Sequence, residues 1–249
     1  MRIRHELKPN DPARRIRFCQ WFLNKCKDRR FLSNFVIGDE AGFAMNGRVN
    51  SQNVREYAPR GHPPPDFHYT RNESRKRITA WVGLCGNGSL IGPYFFEGSV
   101  NGQNYLVMLN EEIFPQLVHK FGSQFENGHF VRLWWAQDGA PAHNALETRD
   151  WLKEFFPNHV VALNHAVEWP PRSPDLTPCD FFLWGYVKSK VYVTPPTSVA
   201  DLKERVVREI RNVKRDPLLI QRAVRDMVRR AKMCIQEGGK HIERLLENK

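Results

Sequence analysis

The sequence predicts an α/β fold, a mixed sheet flanked by helices with an added basic helical C-terminal tail. Three observations predict it. Strand-like apolar runs and helix-period runs alternate between positions 31 and 192. Beyond 193 only helix-period segments follow, rich in Lys and Arg. Three acids, Asp39, Asp138 and Asp180, stand at the boundaries of apolar runs, where a fold of this class gathers its chemistry.

Residues 9–27 read as a helix, with Asp11 as its cap, Pro12 in the first turn and an apolar face from Ile16, Phe18, Trp21, Phe22 and Leu23. Residues 31–39 give the first strand, which Asp39 closes. Residues 44–52 suggest a hairpin about Asn46-Gly47. Residues 53–77 set Arg55, Arg60, Arg71, Arg75, Lys76 and Arg77 among Pro and Gly; so long an irregular stretch is either a functional loop or a mobile surface one. Two strands follow, 77–85 and 89–97, joined at Gly86-Asn87-Gly88. Residues 101–121 repeat Tyr105, Leu106, Leu109, Ile113, Leu117 and Val118 at helical spacing. Residues 130–138 form a central strand ending on Asp138, and Pro141 opens a helix to Phe156. A short strand at 160–164 and a Pro-rich loop at 168–178 precede helices at 180–191, 198–214 and 216–236.

Composition sets the outer limits. A chain of 249 residues with 41% hydrophobic and 12% aromatic residues has enough apolar surface to build a substantial core. No apolar run approaches the roughly 20 residues of a membrane helix, and the N-terminus has no hydrophobic signal core. Five scattered cysteines with no Cys-x-x-Cys pair suggest neither a zinc site nor a disulfide framework, and a reducing, intracellular setting is the expectation. The net charge of +11 is unevenly spread: residues 1–30 carry +7, residues 188–249 carry +8, and the middle is acidic at −4. Basic arms around an acidic centre suit a polyanion held by the arms while cations mask the acids. Solvated helix faces are the plainer account of either arm alone.

Carboxylates on strand ends and a helix start can converge in space, and oxygen-only ligands suit Mg²⁺ or Mn²⁺. Glu40 follows Asp39 on its strand and so points to the opposite face. His143, five residues after Asp138, can touch a phosphate, order a carboxylate or make a structural hydrogen bond. Asp175 and Asp180 both lie in SPDLTPCD. Asp175 follows Pro174 in a turn, where Asp commonly bonds its own backbone, whereas Asp180 falls in the first turn of a helix, a rigid mount for a ligand.

Together GDEAGF, QDGAPAH and WPPRSPDLTPCDFFLWG resemble the catalytic core of Tc1/mariner-type transposases of the DDE/DDD superfamily, over about residues 1–190. Two features depart from that pattern. Gly139 stands where the family has Asn, and the gap from Asp138 to Asp180 is longer than in the best-known mariner branch. The resemblance implies an RNase H-like fold, with Asp39, Asp138 and Asp180 as a catalytic triad binding two Mg²⁺ (or Mn²⁺) ions. It implies metal-dependent DNA cleavage and end joining in cut-and-paste transposition, within the nucleus. The partners would be double-stranded DNA, as transposon ends and target, and a second copy of the chain. Arg55, Arg60, Arg75, Lys76, His143, Lys188 and Lys190 are candidate DNA contacts. The chain divides on this reading into a basic linker helix (1–30), a catalytic core (31–192) with a clamp-like loop near 53–77, and a basic helical region (193–249). Two alternatives stand beside it: a catalytically inactive, host-adopted or decayed DNA-binding remnant of a transposase, and a stand-alone RNase H-like nuclease.

Overall fold

The computed structural model describes residues 6–45 and 77–242. Its centre is a five-stranded sheet. In chain order the helices and strands are α1 (Asp11–Lys25), β1 (Phe35–Ala44), β2 (Arg77–Cys85), β3 (Leu90–Phe96), α2 (Gly102–Met108), α3 (Phe114–Phe121), β4 (Phe125–Glu126), β5 (His129–Phe130), β6 (Trp134–Ala136), α4 (Leu146–Phe155), β7 (Val160–Val161), α5 (Trp184–Val191), α6 (Val199–Lys214) and α7 (Pro217–Gln236). The sheet order is β3-β2-β1-β6-β7, antiparallel from β3 to β1 and parallel from β1 to β7. Alternation along the strands makes two apolar layers. Phe35, Ile37, Ala41 and Phe43 of β1 face a cluster built with α1, α5, α6 and α7. Val36 faces the other, with Trp81, Trp135 and helices α2, α3 and α4. The predicted mixed sheet with helices on both faces is the observed one, and the helices of both basic flanks are part of its packing.

Several boundaries differ from the sequence expectation, each for a local reason. Residues 31–34 form a tight turn, because Ser33 Oγ and Asn34 Nδ2 both bond the carbonyl of Arg30 at 3.0 Å. β1 therefore starts at Phe35, and its pairing with β2 carries it past Asp39 to Ala44. The helix expected over 101–121 widens at Leu109–Ile113, just before Phe114-Pro115, where proline has no N–H to give and crowds the preceding turn. Phe130 belongs to a small hairpin whose turn, Asn127-Gly128, has positive φ at both residues. The central strand is thus only Trp134–Ala136, and Asp138 lies two residues beyond it. Pro141 does not open α4. Gln137 Nε2 bonds the carbonyl of His143 (3.0 Å) and Thr148 Oγ1 that of Ala142 (3.1 Å), so side chains take the carbonyls of this turn and the helix starts at Leu146. β7 stops at Val161, where a bend with Asn164 at φ 62° begins. Asp11 is not the cap of α1 either; it sits in the first turn, buried, and pairs with Arg172. The Asn46-Gly47 hairpin and almost all of the 53–77 loop lie outside the described residues.

One buried ion pair joins the ends of the chain to the Pro-rich loop. Arg15 and Asp175 both have fully buried side chains, and the guanidinium grips both carboxylate oxygens, Nη1 at 2.8 Å from Oδ1. Arg15 also donates to Ser173 Oγ (2.7 Å) and to the carbonyl of Gly239 (2.9 Å), and Asp175 accepts from the amide of Ile242 (3.2 Å). The Asp175 side chain is therefore the hub of a long-range network and not the local turn bond expected of it. From the basic C-terminal region, Arg230 Nη1 donates to the Asp175 carbonyl (3.1 Å) while the guanidinium covers the Phe181 ring at 3.6 Å. Arg15 and Arg230, counted above as arm charge, are thus internal.

Replacing Asp175 by Asn leaves the Arg15 charge buried without its counter-ion, and breaking such a pair from one side costs about 3–5 kcal/mol. Urea unfolding of Asp175→Asn is expected to reveal a loss of that size; a loss below about 1 kcal/mol would contradict the role given to the pair.

Candidate active site

Three chain segments bring their acids to one cavity of about 1070 Å³, lined by Asp39, Asp138 and Asp180. Asp39 comes from mid-β1. The parallel pairing of β1 with β6 ends at Ile37–Ala136, so the sheet opens just before Asp39 while β2 still supports the strand from the other side. Gly38 beside it has no side chain because a Cβ there would run into the Trp81 ring, which stacks on Trp135 at 5.9 Å. Asp138 lies past the end of β6. Asp180 sits in a widened turn, Cys179–Leu183, that leads into α5. Such turns shift the facing of the residues they carry and recur at functional sites. Cys179 itself is fully buried, its Sγ 3.7 Å from the carbonyl of Ile37, and burial pushes its thiol up.

The three carboxylates differ in their surroundings. Asp39 Oδ2 accepts from Trp184 Nε1 at 2.9 Å, which fixes one oxygen. Burial, then the charges of Asp180, Glu40 and Asp138, raise the Asp39 carboxyl well above its ordinary value. Asp180 opens to the cavity, yet desolvation by the surrounding protein and the charge of Asp138 raise it to about 7. Asp138 Oδ1 accepts from the Ala140 amide at 3.0 Å and lies 2.8 Å from His143 Nδ1. Desolvation opposes ionisation of Asp138, but the His143 contact outweighs it and the carboxyl is lowered.

His143 is almost wholly buried, at 1% exposure. Its Nε2 lies 3.0 Å from Glu40 Oε1, and its ring packs against Tyr105 with centroids 4.5 Å apart. Burial would lower its pKa, but Glu40 and Asp138 push it up to about 10. Both ring nitrogens are engaged, so the expected phosphate contact from His143 is ruled out by burial; the ring ties Asp138 to Glu40 across the sheet. Glu40 points away from Asp39, as strand alternation requires. Of the lysines, Lys188 is half-buried above the Phe43 ring at 5.5 Å, and burial lowers its pKa while Asp180 and Asp39 oppose that effect. Lys190 is exposed. Arg55, Arg60, Arg75 and Lys76 lie outside the described residues.

Sequence reasoning missed the basic wall of this cavity. Lys8, Arg14 and Arg172 line it from the side opposite the sheet. Arg14 pairs with Glu168 at 3.0 Å, and Arg172 with Asp11. Only the RSPD run hinted at Arg172, and nothing local marked Lys8 or Arg14.

The donor set suits a hard cation in kind. Each of the three aspartates keeps at least one oxygen with no hydrogen-bond donor among the described residues, and their charges repel one another. No three His, Cys, Asp or Glu side chains among the described residues already close on one point. That arrangement is compatible with Mg²⁺, which keeps waters and takes oxygens from its substrate, and less so with an ion that needs a full protein cage.

Known proteins resemble this chain in sequence and in fold. No family model matches the chain. Two curated relatives do: the Tc3 transposase of Caenorhabditis elegans, 27% identical over 177 residues (70% of this chain, 48% of the relative), and the Mos1 mariner transposase of Drosophila mauritiana, 24% identical over 249 residues (97% and 66%). The chain thus spans half to two-thirds of their lengths. Among solved structures, the Mos1 catalytic domain superposes with a TM-score of 0.71 at 20% identity, covering 96% of this chain and 98% of that one. The Mos1 paired-end complex with Mn superposes at 0.75 and 22% identity, covering 97% and 66%. The chain is thus similar in sequence to the Tc3 and Mos1 transposases, and it has the RNase H-like fold of the Mos1 catalytic domain.

Proposed function

We propose that the chain is the catalytic domain of a DNA transposase, a divalent-metal-dependent nuclease that cuts and rejoins DNA strands. The observation that carries this reading is the convergence of Asp39, Asp138 and Asp180 on one cavity from three separate segments, each with an oxygen that no donor among the described residues engages. Two Mg²⁺ or Mn²⁺ ions bound there would activate an attacking oxygen and stabilise the leaving one in an in-line displacement at phosphorus. Asp39, Asp138 and Asp180 would hold such ions, Asp180 from the widened turn that leads into α5. His143 holds Asp138 from behind, with Glu40 as its second anchor. Trp184 orients Asp39. Lys8 and Arg14 on the opposite wall offset phosphate charge. Attack by water nicks a strand, and attack by a freed 3′-hydroxyl joins one, so one site serves both steps.

In this reading residues 31–192 hold the chemistry, with Lys190 as surface charge at their end, and the segments 1–30 and 193–249 frame it. The substrate is double-stranded DNA, transposon ends and target, handled in the nucleus. The active assembly is a homodimer, since two ends must be processed together. The matched structures support the DNA assignment: those of Mos1 include a pre-cleavage transpososome and a strand transfer complex.

The test is nicking of supercoiled plasmid by the purified chain. Cleavage is expected with Mg²⁺ or Mn²⁺ and none with a chelator. Asp39→Asn, Asp138→Asn and Asp180→Asn should each fall to background while remaining folded and bound to DNA. Binding with no nicking by the wild type under any divalent ion would leave the DNA-binding remnant as the better reading. Full activity in folded Asp180→Asn would remove the third acid from the site.

Gly139 yields a separate expectation. A Cβ there meets only Leu163, at 3.5 and 3.7 Å, and its φ lies outside the left-handed range. Gly139→Ala should therefore stabilise the fold by about 0.4–1 kcal/mol through the unfolded chain's lost freedom. A destabilised Gly139→Ala in thermal melting would mean that this turn needs glycine.

A further inference from the structure

A second, smaller groove of about 390 Å³ lies beside the aspartate cavity, between the end of α4 and the bend after β7. Lys153, Asn158, Asn164 and His165 contribute its polar lining. The two cavities meet along the chain. Leu163 lines the aspartate cavity, the next two residues line the groove, and Asn164 Nδ2 bonds Asn144 Oδ1 (2.8 Å) in the turn that follows Asp138.

Two buried polar atoms beside the groove have no hydrogen-bond partner among the described residues: Arg149 Nε and His165 Nε2. Arg149 and Lys153 stand one helical turn apart on α4, on the same face. Burial, then the charges of Lys153 and Arg149, hold the His165 ring below its ordinary pKa, so these cations crowd it. The ion pair in this cluster is Lys153 with Asp150, at 3.1 Å between two well-exposed side chains, and a surface pair of that kind offsets little charge. Arg149 has no ion-pair partner among the described residues. The charges of Arg149 and Lys153 are thus left largely without a matching anion among the described residues, which suits an added anion at the groove.

We propose that this groove takes the sugar-phosphate backbone of the DNA strand running on from the aspartate cavity, with Arg149, Lys153 and His165 as its phosphate contacts. The proposal rests on the transposase reading and adds where the strand goes. The aspartates select the phosphate that reacts, and the groove holds a neighbouring phosphate of the same strand. Contacts of this kind set register and strength without reading sequence.

The experiment measures binding of a labelled short duplex to the full chain by fluorescence anisotropy, over a salt series and in chelator so that cleavage does not intervene. Arg149→Gln combined with Lys153→Gln is expected to weaken binding about tenfold and to flatten the log K against log salt slope by about 2, one unit per lost phosphate contact. A matched pair of changes on the exposed face of α7, Arg222→Gln with Arg225→Gln, should stay within about twofold of the wild type. In wild-type protein, whose folding is not in question, the His165 ring signals should shift in NMR spectra as duplex is added. Unchanged affinity and slope in the α4 double variant, an equal loss in the α7 control, or unmoved His165 signals at saturating DNA would each overturn the groove assignment. Failure of the wild type to bind any duplex would overturn the transposase reading, and the groove with it.

Discussion

Arg15 and Asp175 meet with no exposed side-chain surface, and the geometry of the site depends on that contact. Two charges taken out of water are costly, and the pair is tolerable only because almost every donor and lone pair finds a partner. Those partners come from distant places: α1, the loop at 173–175, and the segment just after α7. The loop so anchored leads within a few residues to Asp180. Helices α1 and α7 therefore act on the aspartate cavity through a single carboxylate that does not line it.

A second constraint is the crowding of like charge. The charges of Asp180, Glu40 and Asp138 make Asp39 harder to ionise, and that of Asp138 does the same to Asp180. The protein relieves this unevenly. His143 neutralises one pair, Asp138 and Glu40, from the α2–α4 side of the sheet. Trp184 gives Asp39 a hydrogen bond but no charge. Lys188 lies close enough to oppose part of the remaining repulsion. What is left uncompensated is concentrated on the cavity side, where a cation or a protonated carboxyl must take it up.

The fold class was legible because its signals are long: apolar runs in β1 and β2, helical spacing in α6 and α7, and Ser198 and Asp216, which accept bonds at the starts of those helices. The three acids were legible because each ends or follows an apolar run. Boundaries were less so, since they depend on captures of single groups, as at Ser33 and Asn34 or at Gln137 and His143. The Asn127-Gly128 turn was a readable signal that the long strand reading of 130–138 overran. Burial of charge was not legible at all. In sequence Arg15 is one more cation in a basic segment, and only the fold reveals that it faces Asp175, 160 positions away. The same applies to Glu40 and His143, 103 positions apart.

The pairing of β1 with β2 runs unbroken from Val36 to Ala44. Asp39 and Glu40 are neighbours in it, one acid for each face of the sheet. A slip of one position would exchange them, sending the shorter acid to His143 and the longer one into the cavity. Both arrangements would look alike in composition and charge, yet the carboxylate reach on each side would differ by a methylene. The nine-residue ladder thus works as a ruler: it decides which of two adjacent acids faces the cavity and which is tethered to His143, a choice that neither residue's chemistry makes alone.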